Sequence, residues 1–177
     1  AAFSSGASAQ SKSSQPKTNQ TANIKLEPRS GSKVSGNLVV EERSGKVTFI
    51  GEIAGLAPNQ DHGFHVHEFG DCSAPDAKSA GEHFNPDQKQ HGGVRSTAMV
   101  SHAGDLGNVT ADARGIAKVN VTSNVLRISD GTFAVSGKAL VVHKNADDQR
   151  TQPSGNSGDR IGCGVVQVRT AARSTSP

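Results

Sequence analysis

The stretch Gly63-Phe64-His65-Val66-His67, followed by His83, His91, His102, Asp105 and a late His143, gathers the side chains that bind transition metals. Tyr and Trp are absent, and six of the seven histidines fall at spacings that metal ligation explains. In His65-x-His67 the side chains at i and i+2 of a strand share a face, so two imidazoles can meet one ion. His143 closes the apolar run Leu140-Val141-Val142 and can join them. Each is also compatible with a plainer role, the pair on a solvated strand face and His143 as a satisfied core or edge histidine. His83, His91, His102 and Asp105 lie within one loop, and three imidazoles with a carboxylate make a tetrahedral zinc set of the closed, structural kind. A histidine site with room for an open position suits copper, which heads the divalent affinity order. These residue types point to a metalloenzyme.

Such ligands need a rigid frame. From Asn23 onward the chain runs in short apolar segments: 24–26, 34–40, 47–53, 64–69, 109–111, 116–121, 133–135, 140–142 and 165–168. Turn pairs at Ser30-Gly31, Ser44-Gly45, Arg114-Gly115 and Asp130-Gly131 separate several of them. Strands at this spacing, without a helical period, predict an all-β fold, a sandwich or barrel. Residues 70–108 and 144–160 break the rhythm as two long loops rich in Gly, Asp, Asn, Ser and Pro, and loops of that length in a compact domain are usually functional or disordered. Most of the candidate ligands lie in or beside them.

The 177 residues suffice for one domain with a full core. Residues 1–22, rich in Ser, Ala, Gln and Thr, have little to bury and are expected to be disordered, the flexible start of an exported chain. The domain is expected over 23–168, with a second tail at 169–177. The pI of about 9.0 comes from the tails. Residues 23–168 hold 15 basic and 16 acidic residues, a net of −1, with no basic stripe, which argues against nucleic acid as a partner. No apolar run approaches the roughly 20 residues of a membrane helix. Cys72 and Cys163 are consistent with one disulfide, worth on the order of 4–5 kcal/mol in the chain-entropy model, or with two buried thiols. A disulfide favours a periplasmic or secreted location.

Five motifs in order carry a resemblance: Gly63-Phe64-His65-Val66-His67-Glu68-Phe69-Gly70-Asp71, Glu82-His83-Phe84-Asn85-Pro86, Gly104-Asp105-Leu106-Gly107-Asn108-Val109, Val141-Val142-His143 with Asp147, and Gly155 to Val165. Over about 23–168 the chain resembles copper/zinc superoxide dismutase. The resemblance implies a Greek-key barrel of about eight antiparallel strands with two long functional loops. It further implies that His65, His67, His83 and His143 bind copper, and that His83, His91, His102 and Asp105 bind zinc, His83 being shared. Asp147 corresponds to the carboxylate that hydrogen-bonds one histidine of each site. Arg160 corresponds to the guanidinium that positions superoxide, and a Cys72–Cys163 bridge would help to aim it. His62 matches no ligand position. The implied reaction is dismutation of superoxide to dioxygen and hydrogen peroxide, with His83 also handling a proton.

The close spacing of Cys72 after His67 is similar to the bacterial, exported branch. The segment 148–154 is short and lacks the acid and lysine pattern that eukaryotic members use for steering, so Arg150 or Lys144 stand as alternatives for that role. A homodimer is possible. One rival is a non-catalytic copper and zinc carrier on the same fold, which has no need of Arg160. A second is a cupin-like mononuclear enzyme, which wants a Glu where Asp71 and Cys72 stand and leaves the zinc set unexplained. A third is an adhesive sandwich with structural metals.

Overall fold

In the two-residue loop between β2 (Ser35–Arg43) and β3 (Lys46–Ala54), Ser44 and Gly45 both take positive φ, 51° and 75°. That is the twist-matched turn that pairs two strands directly, and Arg43 faces Lys46 across it. The computed structural model of the chain describes residues 19–93 and 101–169. The remaining strands are β1 (Gln20–Pro28), β4 (Asp61–His67), β5 (Asp105–Thr110), β6 (Ala117–Ser123), β7 (Ala139–His143), β8 (Arg160–Val165) and the short β9 (Gln167–Val168). A single 3-10 turn at Lys78–Ala80 interrupts the first long loop.

The pairings between these strands are antiparallel, in the order β5-β4-β7-β8-β1-β2-β3-β6, with β9 on β1. The terminal strands β5 and β6 are consecutive in sequence and touch through an Ala111–Ala117 bridge, so the sheet is nearly closed on itself. Strands β4, β5 and β6 lie side by side in order, and β3 returns beside β6, which is the Greek-key connection. The expected fold class is thus the observed one.

Alternation fills the barrel. Ile24, Leu26, Leu38, Val40, Val47, Phe49, Ile53, Phe64, Val66, Leu140 and Val142 form the inner core. Phe49 meets Phe64 edge to face at 6.1 Å between ring centroids. β7 is buried at every residue because both its faces are covered. Leu140 and Val142 point inward, while Ala139 and Val141 pack with Ala77, Ala80 and Cys163 under the first long loop.

Several sequence expectations shift. β1 begins at Gln20, so residues 20–22 of the expected disordered tail are strand, ordered by pairing with β2 and, at Ala22, with β9. The rest of that tail, 1–18, and residues 170–177 lie outside the described residues. Residues 133–135 form no strand; they are held by one bridge from Ala134 to Arg127, with Val135 buried. The last long strand starts at Arg160 rather than Val165, because Gly162 and Gly164 conceal its alternation. A Cβ on Gly164 would collide with the Lys25 carbonyl of β1. β5 starts at Asp105, shortening the first loop to 68–104.

Phe64→Ala, one residue from the His65-x-His67 pair, is expected to cost about 3–5 kcal/mol in urea unfolding.

Candidate metal centre

β4 supplies the first two ligand candidates. His65 and His67 point away from the core while Phe64 and Val66 point into it, and both histidines are fully buried by the two long loops. Across β4–β7, His67 pairs with Ala139, and His143 ends β7 at a bulge whose partner on β8 is Arg160. His83 reaches the group from the first loop, where it bridges His67. One ring nitrogen from each of His65, His67, His83 and His143 lies within 4.8 Å of the others, and all four residues are buried. A second group, His83, His91, His102 and Asp105, meets the same limit. The structure therefore brings together all seven residues singled out as ligands, with His83 in both groups.

Hydrogen bonds determine which nitrogen each ring presents. His67 Nδ1 donates to the Gly81 carbonyl at 2.9 Å, leaving Nε2, which stands 3.4 Å from His143 Nε2. His143 Nδ1 is 3.2 Å from the Gly158 carbonyl and from Ser157 Oγ. His65 Nε2 meets Asp147 Oδ2 at 2.8 Å, leaving Nδ1 buried with no hydrogen-bond partner. His83 Nδ1 is 2.8 Å from Asp105 Oδ1, and its buried Nε2 likewise has no partner. An orphaned polar atom in a dry site is costly unless something binds it. Here two of the orphans, on His65 and His83, belong to rings whose centroids stand 4.0 Å apart in one candidate ligand group.

In the second group, Nδ1 of His83, His91 and His102 stand 2.8, 3.1 and 3.2 Å from Asp105 Oδ1. These separations are close to the edge of about 3.3 Å that a tetrahedron with zinc–ligand bonds of about 2.0 Å would have. The remaining oxygen, Asp105 Oδ2, accepts from the backbone N–H of Gly92 and of His102. The donor set fits zinc. The first group, four imidazole nitrogens at one face of a strand pair, fits copper.

Asp147 ties the groups together. Its Oδ2 meets His65 and its Oδ1 meets His91 Nε2, both at 2.8 Å, and Oδ1 also accepts from the Gln149 backbone N–H. Gly155 packs against this carboxylate so closely that a Cβ would overlap Oδ1, and its φ of 65° favours glycine. Asn108 in turn clasps Asp147, its Oδ1 accepting from the Asp147 N–H at 2.7 Å and its Nδ2 donating to the carbonyl at 2.9 Å.

Ligation needs neutral imidazole and ionised carboxylate, and His67, His83, His143, Asp105 and Asp147 are already in those forms. Burial, then the nearby imidazoles of His83 and His143, holds His67 well below the usual histidine range. His143 is lowered likewise by burial, then by His65 and His83. Burial lowers His83 to about 4 against the opposing pull of Asp105. His91 behaves differently: burial works to lower it, but hydrogen bonds with Asp105 and Asp147 prevail and raise it to about 9. Burial works to raise both carboxylates, yet their histidine partners hold Asp105 and Asp147 well below the usual range.

Arg160 Nη1 donates to the Ala77 carbonyl at 3.0 Å, and Nη2 lies 3.5 Å from Glu82 Oε1. Its guanidinium is close enough to lower both His67 and His143. It lines a cleft of about 270 Å³ with Lys78, Glu82 and Asp159. The Cys72–Cys163 disulfide forms, with Cα atoms 5.8 Å apart, and Arg29 Nε donates to the Cys72 carbonyl at 2.7 Å. It pins the first loop to β8, the strand that begins at Arg160. Lys144 pairs with Asp159, at 3.9 Å on the exposed surface.

Three kinds of contributor were not legible in the sequence. His62 is 1% exposed and its Nδ1 bonds the His143 carbonyl at 2.9 Å; it shares the parity of Phe64 and Val66, which could have placed it inward. The carbonyls of Gly81, Ala77 and Gly158 carry no residue-type signal. The side chains of Asn108 and Gln152 act on loop backbone, which leaves no trace in spacing.

A Greek-key barrel carrying two adjoining histidine-lined metal sets beside a cleft with an arginine defines a two-metal redox protein. Residues 34–166 match the family model for copper/zinc superoxide dismutase (SODC). The chain is 42% identical over 146 residues to a Cu-Zn superoxide dismutase of Yarrowia lipolytica, covering 78% of this chain and 92% of that one. It is 38% identical over 151 residues to an extracellular Cu-Zn superoxide dismutase of Onchocerca volvulus, covering 79% and 73%. The solved structure of a double mutant of a superoxide-dismutase-like protein from Bacillus subtilis superimposes with a TM-score of 0.74 at 37% identity, covering 82% and 96%. The chain belongs to the copper/zinc superoxide dismutase family. It is an oxidoreductase that converts superoxide to dioxygen and hydrogen peroxide, with copper and zinc as cofactors, and the non-catalytic carrier reading is not favoured.

In the metal-free chain, histidine-ring NMR is expected to show His91 losing its proton near pH 9 and His83 gaining one only near pH 4. Because the folded His91 value is raised above the unfolded value of about 6.5, its contribution to stability is complete below about pH 6.5 and lost as pH rises through about 9. Asp147→Asn should bring the His91 titration back toward neutrality.

Proposed function

We propose that His65, His67, His83 and His143 hold the copper, that His83, His91, His102 and Asp105 hold the zinc, and that Arg160 receives the superoxide anion. The observation that carries this reading is His83 itself. Its Nδ1 stands beside Asp105 in one group, and its buried Nε2 lacks a protein partner on the side of the other. Copper bound at the first set supplies the one-electron store, oxidising one superoxide to dioxygen and reducing a second, which leaves with two protons as hydrogen peroxide.

The protein's own part is positioning and proton handling. Superoxide offers almost no surface to grip, so a fixed cation must supply both attraction and orientation. Arg160 meets that need because the Ala77 carbonyl and the disulfide-braced β8 hold its side chain, which is only 15% exposed. His83 Nε2 would hold copper in one state of the centre and, when freed from it, would take up a proton and pass it to the reduced anion. Asp147 holds His65 and His91 in one orientation and tautomer, so that the two sites keep their spacing.

The catalytic unit is read as one domain, residues 23–168 with the preceding strand residues of β1, flanked by tails. The disulfide is compatible with export, and we place the enzyme in the periplasm or outside the cell; the extracellular relative from Onchocerca volvulus supports this. Among the described residues no helix is long and apolar enough to cross a membrane.

Superoxide decay is expected to be fast with one copper and one zinc per chain and absent in the metal-free form. Arg160→Ala should keep its copper and lose at least about tenfold in rate, whereas His83→Ala should lose metal affinity and activity together. Full activity in Arg160→Ala would remove the arginine from the mechanism.

A further inference from the structure

His91 is held at both ring and backbone, and the backbone grip comes from a residue that ligation does not need. The Gln152 side chain meets the His91 backbone at both its polar groups. Oε1 accepts from the His91 N–H at 2.7 Å, and Nε2 donates to the His91 carbonyl at 2.9 Å. The same Nε2 lies 3.2 Å from the Arg150 carbonyl. This paired amide contact spans 61 residues of sequence and joins the second long loop, 144–159, to the first. It reproduces, on the other side of the centre, the way Asn108 clasps the backbone of Asp147.

We infer that Gln152 is a positioning residue of the zinc site, fixing His91 by its backbone while Asp147 fixes it by its ring. A ligand's direction is set by both ring rotation and the placement of its Cα. The Asp147–His91 Nε2 bond controls the first and leaves the second free. His91 sits between exposed Lys89 and Gln90 and the half-buried Gly92, in a stretch with no regular backbone pairing, so nothing from a sheet holds that Cα. The two Gln152 bonds supply what a sheet would. By linkage, whatever Gln152 gives the zinc site, zinc returns as order in the 144–159 loop, which carries Asp147 and leads into Arg160.

The inference rests on His91 being a zinc ligand. Zinc-loaded wild type, Gln152→Ala and Gln152→Glu are compared for zinc release to a chromogenic chelator and for copper affinity. Gln152 is exposed, so water replaces part of each lost bond, and Gln152→Ala should weaken zinc binding by about fivefold to tenfold while leaving copper affinity unchanged. Gln152→Glu keeps the acceptor for the His91 N–H but sets a carboxylate against the carbonyl, and should fall between. Wild-type zinc release in Gln152→Ala overturns the inference. So does an equal loss of thermal stability in the metal-free and zinc-loaded forms, which would make Gln152 a brace of the loop alone. His91→Ala separates the two readings: if that variant keeps zinc, the ligand assignment has failed, and if it loses zinc while Gln152→Ala does not, only the role of Gln152 has.

Discussion

A single buried carboxylate holds the centre together. Asp147 is inaccessible to water, and such a charge persists only when its oxygens are fully engaged. One oxygen goes to a histidine of β4 and the other to a histidine of the first long loop. The barrel, the first loop and the second loop thus meet at two oxygen atoms. Gly155 leaves the space and Asn108 holds the backbone. Any displacement of Asp147 changes the direction of a ring in each histidine group at once, so in the proposed reading one residue would couple the two sites without being a ligand itself.

The histidines illustrate a second consequence of burial. Seven lie in or against the dry wall between barrel and loops, where protonated rings would repel one another and lack water. His67, His83 and His143 accordingly stay neutral, the form a metal requires, whereas His91, between two carboxylates, favours its charged form. The orphaned nitrogens of His65 and His83 are the remaining electrostatic debt, and metal binding offsets it. Folding and metal affinity are therefore parts of one balance.

Rigidity reaches the substrate side by the same route. Arg160 begins β8, faces His143 across the sheet and is tied by its guanidinium to the loop that the disulfide anchors. In the proposed reading, a cation placed this way is already oriented before an anion arrives, which favours rate over affinity for so small a substrate.

The metal chemistry was legible from residue types because ligands are few in kind and their spacing on a strand is dictated by a period of two. His65-x-His67, the cluster around His83 to Asp105, and His143 at the end of an apolar run all come together as the sequence implies. The barrel was legible from alternation wherever side chains alternate, and was lost where glycine replaces them, as in β8, or where polar residues form a paired strand, as at Gln20 and Thr21. What only the tertiary structure decided was the wiring behind the ligands: which ring nitrogen faces inward, that His62 underpins His143, and that Gln152 and Asn108 clasp loop backbone. The bonds of His62, Gln152 and Asn108 join atoms 39 to 81 residues apart, often through a carbonyl that every residue possesses, so no residue type or spacing can announce them. Chain folding alone brings them within reach.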